Sequence, residues 1–207
     1  ICFAWSVFQL YIAYFPMNTT MSRSAHLAFA ICLLFLLYPL KIHKKAHSSL
    51  PFYDIALCVL GTLAALYPLI EFYALAQRPG DYTSFDIAVS CVAVVVLFEA
   101  GRRIIGPALP IIAAIFLAYD YFGQYMPDII AHQGASLNKL AGHMYLTTEG
   151  VFGVPLGVSV SFIYLFVLFG SLLERAGAGQ YFINLAFALL GKFRGGPAKA
   201  SVIASGL

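Results

Sequence analysis

Long apolar runs separated by short polar stretches dominate the pattern of residues along the chain. The hydrocarbon core of a bilayer is about 30 Å thick, so a helix needs about 20 apolar residues to cross it, and about seven runs qualify as candidate spans. They cover residues 1–15, 24–40, 53–76, 86–100, 107–122, 154–173 and 181–190. Strands are not expected, because lipid offers no partners to an open sheet edge and the runs lack the alternation of a barrel. The pattern predicts an all-α, polytopic integral membrane protein.

Composition agrees with this prediction. The chain is 61% hydrophobic and only 10% charged, whereas soluble domains carry about 25% charged residues. The net charge of +3 is too small to indicate binding to nucleic acid. Each of the four cysteines lies singly within an apolar run, without the spacing of a zinc site or a disulfide framework. We interpret them as small packing residues. The chain starts at Ile1, and both ends interrupt an apolar run, so we expect a fragment of a longer protein.

Basic residues orient the first half of the chain. Lys41, Lys44 and Lys45 follow the second run, and Arg102 and Arg103 follow the fourth. Cytoplasmic loops are rich in Lys and Arg, so we expect both segments on the cytoplasmic side and residues 77–86 on the opposite side. Residues 1–100 would then form a unit of four spans with both ends in the cytoplasm.

Residues 128–148 have a mixed character. Leu137, Leu140 and Met144 would share one face of a helix, away from Lys139 and His143. This spacing favours an amphipathic helix lying in the membrane interface, with an exposed loop as the alternative.

Few ionisable side chains fall inside the apolar runs, where such residues are usually paired or functional. Arg23 and His26 lie at the start of the second run, and we expect both to extend toward the interface. Glu99 lies within one turn of Arg102 and Arg103, a spacing that predicts an ion pair.

Candidate chemistry is sparse. Asp120 lies between Tyr119 and Tyr121, where it could line a polar path or simply mark the interface. The sequence shows no phosphate-binding loop, nucleophile elbow or set of metal ligands at helical spacing. We therefore predict no catalytic residue, no metal site and no cofactor.

Small residues recur at two places. Gly153, Gly157 and Ser161 repeat every four residues, which predicts a flat helix face for close packing. Near the end, Gly195, Gly196 and Pro197 cannot continue a stable span, yet an apolar segment resumes directly after them. This pattern fits either a broken helix at membrane depth or a plain loop.

The stretch from Gly153 to the end, of which Glu174 to Leu207 is the most specific part, reads GVPLGVSVSFIYLFVLFGSLLERAGAGQYFINLAFALLGKFRGGPAKASVIASGL. It resembles the early part of the large membrane subunit of tripartite ATP-independent periplasmic (TRAP) transporters. Earlier segments are AWSVFQLYIA, AHLAFAICLLFLLYPL and RRIIGPALPIIAAIFLAYDYFG. They resemble the fused form, in which a small four-helix subunit precedes the large one and which is associated with TAXI-type binding proteins.

The resemblance implies a division of the chain and a site. Residues 1–100 would be a DctQ-like small-subunit domain and residues 101–207 the first, truncated part of a DctM-like transport domain. The last residues would lead into a re-entrant hairpin, whose tip forms sodium and substrate sites in this family. The implied site residues lie on the approach to that tip and are Gly195, Gly196, Pro197, Ser201, Ser205 and Gly206.

The resemblance also implies a function. The chain would be a permease component, in a bacterial or archaeal cytoplasmic membrane, for sodium-coupled uptake of a small organic anion of carboxylate type. A periplasmic TAXI-type protein would deliver the anion. The alternatives are a scaffold or assembly subunit that transports nothing, and a polytopic membrane enzyme.

The orientation of the second half is in conflict. The family and the basic residues Lys192, Arg194 and Lys199 favour cytoplasmic entry into the hairpin. Alternation of single spans after Arg103 places these residues outside. Either one candidate is not a full span, or residues 128–148 conceal an extra crossing.

Overall fold

The structure, a computed structural model, describes residues 1–40, 51–190 and 202, and within these ranges it contains helices and no strands. The helices are α1 (Cys2–Tyr14), α2 (Thr19–Leu37), α3 (Phe52–Ile70), α4 (Phe72–Gln77), α5 (Ser84–Ile104), α6 (Ala108–Phe122), α7 (Leu137–Ala141), α8 (Val154–Val158), α9 (Tyr164–Arg175) and α10 (Ala178–Leu190). A 3₁₀ turn follows α6 (Gly123–Tyr125), and π-helical turns continue α7 (Gly142–Leu146) and α8 (Ser159–Ile163).

Among the described residues, four helices are long and apolar enough to cross a membrane. They are Thr19–Leu37, Phe52–Ile70, Ser84–Ile104 and Val154–Arg175, the last joining α8, its π-helical turn and α9. Cys2–Tyr14 and Ala178–Leu189 are shorter apolar helices. The prediction of an all-α, polytopic membrane protein is therefore confirmed, while the number of spans stays a prediction.

Capping residues move the helix boundaries away from the predicted ones. α2 begins at Thr19, rather than at residue 24, because the side chain of Asn18 accepts a hydrogen bond from the Thr20 amide at 3.0 Å. It ends before Pro39, which disfavours helical geometry in the residue preceding it. α5 begins at Ser84 because Thr83 and Asp86 form a capping box. Local polar residues thus lengthen these helices at their first turns.

The predicted single run at residues 53–76 is two helices. α3 ends at Ile70, two residues after Pro68, and α4 begins at Phe72. Proline removes one backbone donor from a helix and crowds the preceding turn. The helix therefore ends just after Pro68, where one of its backbone hydrogen bonds is missing.

The helices α6 and α7, which follow α5, are shorter than α2, α3 and α5. Gly106 adopts a positive φ of 102°, which allows the chain to turn into α6. With 15 residues, α6 rises about 22 Å, less than the about 30 Å of the hydrocarbon core. Leu137–Ala141 and its π-helical continuation rise only about 15 Å. Both helices are shorter than a single full crossing, and the choice between an incomplete span and an extra crossing within residues 128–148 stays a prediction. A short helix, Leu137–Ala141, forms in this segment with Ala141 buried, and it contacts α5. Its place in the membrane interface stays a prediction.

The core of the first unit is built from α2, α3 and α5. Ile31 and Phe35 of α2 meet Ala65 of α3 and Val96 of α5 in one cluster of buried apolar side chains. Gly61 brings the three helices together, since a Cβ at this position would lie 2.6 Å from Ile31 Cγ2 and 2.8 Å from Val96 Cγ1. The close packing of these helices therefore requires glycine at position 61.

Two aromatic residues from outside α2, α3 and α5 also pack against this core. Tyr145 and Phe152 are fully buried and meet edge to face, with ring centroids 5.2 Å apart. The Tyr145 hydroxyl has no hydrogen-bond partner among the described residues. Burial raises the pKa of this hydroxyl. The neutral Tyr145 ring therefore stabilises the fold by apolar packing, while burying its hydroxyl oxygen offsets part of that stabilisation.

The chain forms two compact units, Ile1–Ser161 and Phe162–Leu207. In the second unit α9 ends at Arg175, and Gly177, with a φ of 79°, precedes α10. The domain division proposed at residue 100 stays a prediction, and α5 runs without interruption from Ser84 to Ile104 across it.

Candidate functional site

A buried polar cluster joins three elements of the first unit. We define the His26 cluster as Gln9 of α1, Arg23 and His26 of α2, and Ser159 and Val160 of the α8 continuation. Gln9 is completely buried, and His26 is 3% exposed. Since buried polar groups in lipid need internal partners, this cluster fixes how the three elements meet.

Each member of the His26 cluster has a defined partner. The Gln9 amide nitrogen donates to the Val160 carbonyl oxygen at 2.6 Å. The imidazole of His26 reaches the Gln9 side-chain oxygen through Nδ1 at 3.2 Å and the Ser159 hydroxyl through Nε2 at 3.3 Å. Val160 and Ser159 lie at the start of a π-helical turn, a feature found often at functional positions.

Arg23, one helical turn before His26, also binds the segment that contains Ser159 and Val160. Its guanidinium donates to the Phe152 carbonyl oxygen at 2.5 Å. The expectation that Arg23 and His26 extend toward the interface is wrong for His26, which is buried, and Arg23 binds backbone inside the unit. α1 and residues 152–161 cover the face of α2 that the sequence alone left open to lipid.

The small residues predicted to form a packing face lie beside this cluster. Gly153 is buried, whereas Ser161 is exposed and donates its hydroxyl to the Gly157 carbonyl oxygen at 2.9 Å. A Cβ on Gly157 would lie 2.5 Å from the nearer Arg23 nitrogen. Gly157 therefore leaves space for the arginine side chain, and the role of the three residues in helix packing stays a prediction.

A second polar site joins the ends of α3 and α5. The guanidinium of Arg103 is 2.6 Å from the carboxylate of Asp54 and 2.7 Å from that of Glu99. Arg102 pairs with Glu99 at 2.7 Å, so the predicted ion pair of Glu99 is confirmed. Asp54 lies in the first turn of α3 and Arg103 in the last turn of α5, where each charge complements its helix dipole.

Arg103 also secures the end of α2. It donates to the Tyr38 carbonyl oxygen at 3.0 Å and lies 4.8 Å from the centre of the Phe35 ring. The backbone amide of Leu40 donates to Asp54 at 3.3 Å. One nearly buried arginine therefore connects the ends of three helices.

A third polar site secures the other end of the α3–α5 pair. Asp86 is buried, accepts a hydrogen bond from the Tyr67 hydroxyl and pairs with Arg78 at 3.2 Å. It also closes the capping box of α5 by accepting from the Thr83 amide at 2.7 Å. Buried carboxylates thus hold both ends of the antiparallel pair.

Asp120 does not join these networks. It is half-buried and lies beside an apolar cleft of about 440 Å³ between α5 and α6, lined mainly by side chains such as Leu97 and Phe116. The apolar lining does not form the polar path considered for Asp120.

The residues predicted for the substrate and ion path lie outside the described part of the chain. They are Gly195, Gly196, Pro197, Ser201, Ser205 and Gly206. Within the described ranges, no group of three His, Cys, Asp or Glu side chains could hold a metal ion.

Sequence reasoning missed Gln9, Asp54 and the buried position of His26. Gln9 carried a signal that could have been used, because an amide within an apolar run of a membrane helix needs an internal partner. Asp54 carried a weaker one, as an acidic residue in the first turn of a predicted span.

A family model described as "Tripartite ATP-independent periplasmic transporter, DctM component" matches residues 92–207. No curated protein and no solved structure matches the chain. The matched range begins inside α5 and includes α6 to α10.

Proposed function

The chain belongs to the family of the DctM component of tripartite ATP-independent periplasmic transporters, and from this membership we propose its specific task. The chain serves sodium-coupled uptake of a small organic anion of carboxylate type across a bacterial or archaeal cytoplasmic membrane. A soluble binding protein of the TAXI type delivers the anion. The family match over residues 92–207 is the observation that carries this proposal.

A scaffold role for the first helices accompanies the proposal. α2, α3 and α5 share one core, and buried ion pairs hold the ends of α3 and α5. Breaking a buried pair by removing one partner typically costs about 3–5 kcal/mol. A unit held in this way suits a fixed support, against which a moving transport domain could work by alternating access.

The ion and substrate path is proposed for the end of the sequence. Gly195, Gly196 and Pro197 interrupt the helical pattern, and Ser201 and Ser205 follow within a small-residue segment. Broken helices near mid-membrane expose backbone carbonyls to sodium and amide groups to anionic substrates. We propose that this segment leads the chain into such a site.

Uptake into proteoliposomes tests the proposal. The complete natural polypeptide that carries this sequence is reconstituted with its binding protein, and uptake of labelled small carboxylates is followed with and without an inward sodium gradient. We expect uptake only with both the gradient and the binding protein. Uptake that is indifferent to sodium would remove the coupling, and no uptake with any candidate binding protein would remove transport.

Two serine variants test the proposed path. Ser201→Ala should raise the sodium concentration needed for half-maximal uptake, because it removes one oxygen ligand. The matched control is Ser171→Ala, since the Ser171 hydroxyl is exposed and bonds only to the Leu168 carbonyl oxygen of its own helix. Equal sodium dependence in the two variants would exclude Ser201 from the path.

A further inference from the structure

His26 makes hydrogen-bond contacts that one protonation state cannot satisfy together. Its Nδ1 atom is 3.3 Å from Trp5 Nε1 and 3.2 Å from the Gln9 side-chain oxygen. The indole N–H can only donate, so its bond requires a lone pair on Nδ1. The Gln9 oxygen can only accept, so its bond requires a proton on the same atom.

The orientation of Gln9 is determined by its other contact. The Gln9 nitrogen is 2.6 Å from the Val160 carbonyl oxygen. Turning the amide over would place two acceptors against each other there, so the oxygen of Gln9 must face His26. The conflict at Nδ1 is therefore a property of the site, not of one amide assignment.

Ser159 fits both states of the ring. Its hydroxyl lies 3.3 Å from Nε2, and a hydroxyl both donates and accepts. It can therefore accept from a protonated Nε2 or donate to an unprotonated one. Nε2 sets no preference, and the state of Nδ1 decides which neighbour His26 binds.

We propose that His26 is a proton-binding switch at the junction of α1, α2 and the π-helical turn that begins at Ser159. In the neutral state the ring carries its one proton on Nε2, donates it to Ser159 and accepts from Trp5 at Nδ1, so the Gln9 oxygen faces a lone pair. When Nδ1 takes a second proton from water, the charged ring donates to both Ser159 and Gln9, and its bond from the indole N–H is lost. The proton returns to water in the reverse step, and no bond between heavy atoms changes.

Proton uptake strengthens the junction. In the protonated state a continuous series of hydrogen bonds runs from Ser159 through His26 and Gln9 to the Val160 carbonyl oxygen. This series connects α2 to α1 and both to the turn at Ser159. In the neutral ring with its proton on Nε2 the central bond is missing, so the three elements are held less tightly.

The charged surroundings of His26 are simple. Arg23 lies three residues earlier on the same face of α2 and opposes a second positive charge. α1 and residues 152–161 carry no Asp, Glu, Lys, Arg or His, and the titratable Cys2, Tyr11 and Tyr14 of α1 are exposed. Within these elements the hydrogen bonds to Gln9 and Ser159 hold the protons of the charged ring.

Tryptophan fluorescence gives a direct readout, because Trp5 is the only tryptophan in the chain. The Trp5 and His26 rings meet edge to face, with centroids 5.0 Å apart. The chain in detergent micelles is titrated from about pH 8 to about pH 3, a range that extends well below the ionisation of an exposed histidine. We expect a reversible change in Trp5 emission that follows the uptake of a single proton.

Variants assign the transition. It should disappear in His26→Gln and persist in His132→Gln, whose ring bonds the Tyr119 carbonyl oxygen instead. Gln9→Leu should move the midpoint to lower pH, because the protonated state loses its acceptor. Emission that does not change with pH, or a transition that survives in His26→Gln, would overturn the proposal.

A measurement on the unaltered chain covers the case in which the variants do not fold. Nitrogen NMR of chains with labelled histidine rings reports the proton on each ring atom. We expect the Nδ1 signal of His26 to move between its bare and protonated positions over the same pH range. A single fixed state of Nδ1 throughout would overturn the proposal.

Discussion

Replacing Gly61 by Ala should weaken the contact of α3 with its two neighbours in the core. The added methyl group would lie 2.6 Å from Ile31 Cγ2 and 2.8 Å from Val96 Cγ1. Carbon atoms in contact are normally about 3.5–4.0 Å apart. Both neighbours, which meet the same face of α3, would therefore have to retreat by about 1 Å.

The expected size of the effect follows from the stiffness of these neighbours. Ile and Val are β-branched, with little freedom at χ1 in a helix, and Ile31 and Val96 are both buried. Overpacking a core costs about 1–3 kcal/mol, and a clash with two neighbours at once places Gly61→Ala at about 3 kcal/mol. Alanine recovers about 1 kcal/mol through its helix propensity. The net loss of stability should be about 2 kcal/mol.

Thermal unfolding in detergent, followed by size-exclusion chromatography after heating, measures this loss. For a chain of this size about 2 kcal/mol corresponds to a midpoint lower by about 4–8 °C. Gly170→Ala is the matched control, because Gly170 also lies within an apolar helix and a Cβ there meets nothing within 4 Å. Equal midpoints for the two variants would refute the close packing at Gly61.

Three further predictions concern buried polar groups and thiols. Asp54→Asn should destabilise the first unit by about 3 kcal/mol, the lower end for a broken buried pair, because Arg103 keeps its bond to Glu99; the heating assay measures this. Tyr145→Phe should leave stability unchanged or raise it by about 1 kcal/mol, because it removes a buried hydroxyl without a partner. Mild oxidation should join Cys32 and Cys58 in a disulfide, since their sulfur atoms are 3.5 Å apart, and mass spectrometry of the digested chain detects the bond.

Each of these has a matched control on an exposed side chain. Asp81→Asn and Tyr73→Phe should leave the midpoint unchanged, and Cys91 should remain a free thiol under the same oxidation. A loss of stability as large in Asp81→Asn as in Asp54→Asn would contradict the buried pair. A clear loss in Tyr145→Phe would show that its hydroxyl has a partner, and scrambled disulfides would contradict the specific approach of Cys32 and Cys58.

Local sequence determines much of the helical architecture. The lengths of the apolar runs locate the helices, and the spacing of Glu99 and Arg103 on one helix predicts their ion pair. Boundaries are less accurate, because side chains such as Asn18 and Thr83 begin helices inside segments that look like loops. A capping residue is a single polar side chain, and it marks the start of a helix only when an apolar run follows it.

Contacts between distant parts of the chain could not be derived in this way. Gln9 binds the carbonyl of a residue 151 positions later, and Asp54 pairs across two helices with Arg103. Treating lipid as the only surroundings of α2 led to the wrong expectation for His26. Which face of a helix another segment covers depends on tertiary packing, and the hydrophobic pattern of a single helix does not contain it.

The two buried ion pairs at the ends of the α3–α5 pair, Asp86 with Arg78 and Asp54 with Arg103, also define the thickness of the membrane that this unit fits. Along α5, Asp86 and Arg103 are separated by about 26 Å of helix axis. Both side chains are buried in ion pairs, and such groups are least costly near the headgroups. The unit is therefore matched to a hydrocarbon layer of about 26 Å, slightly thinner than an average bilayer. Lipids with longer acyl chains would force it to tilt or would thin around it, so acyl-chain length should affect the stability of this protein independently of headgroup chemistry.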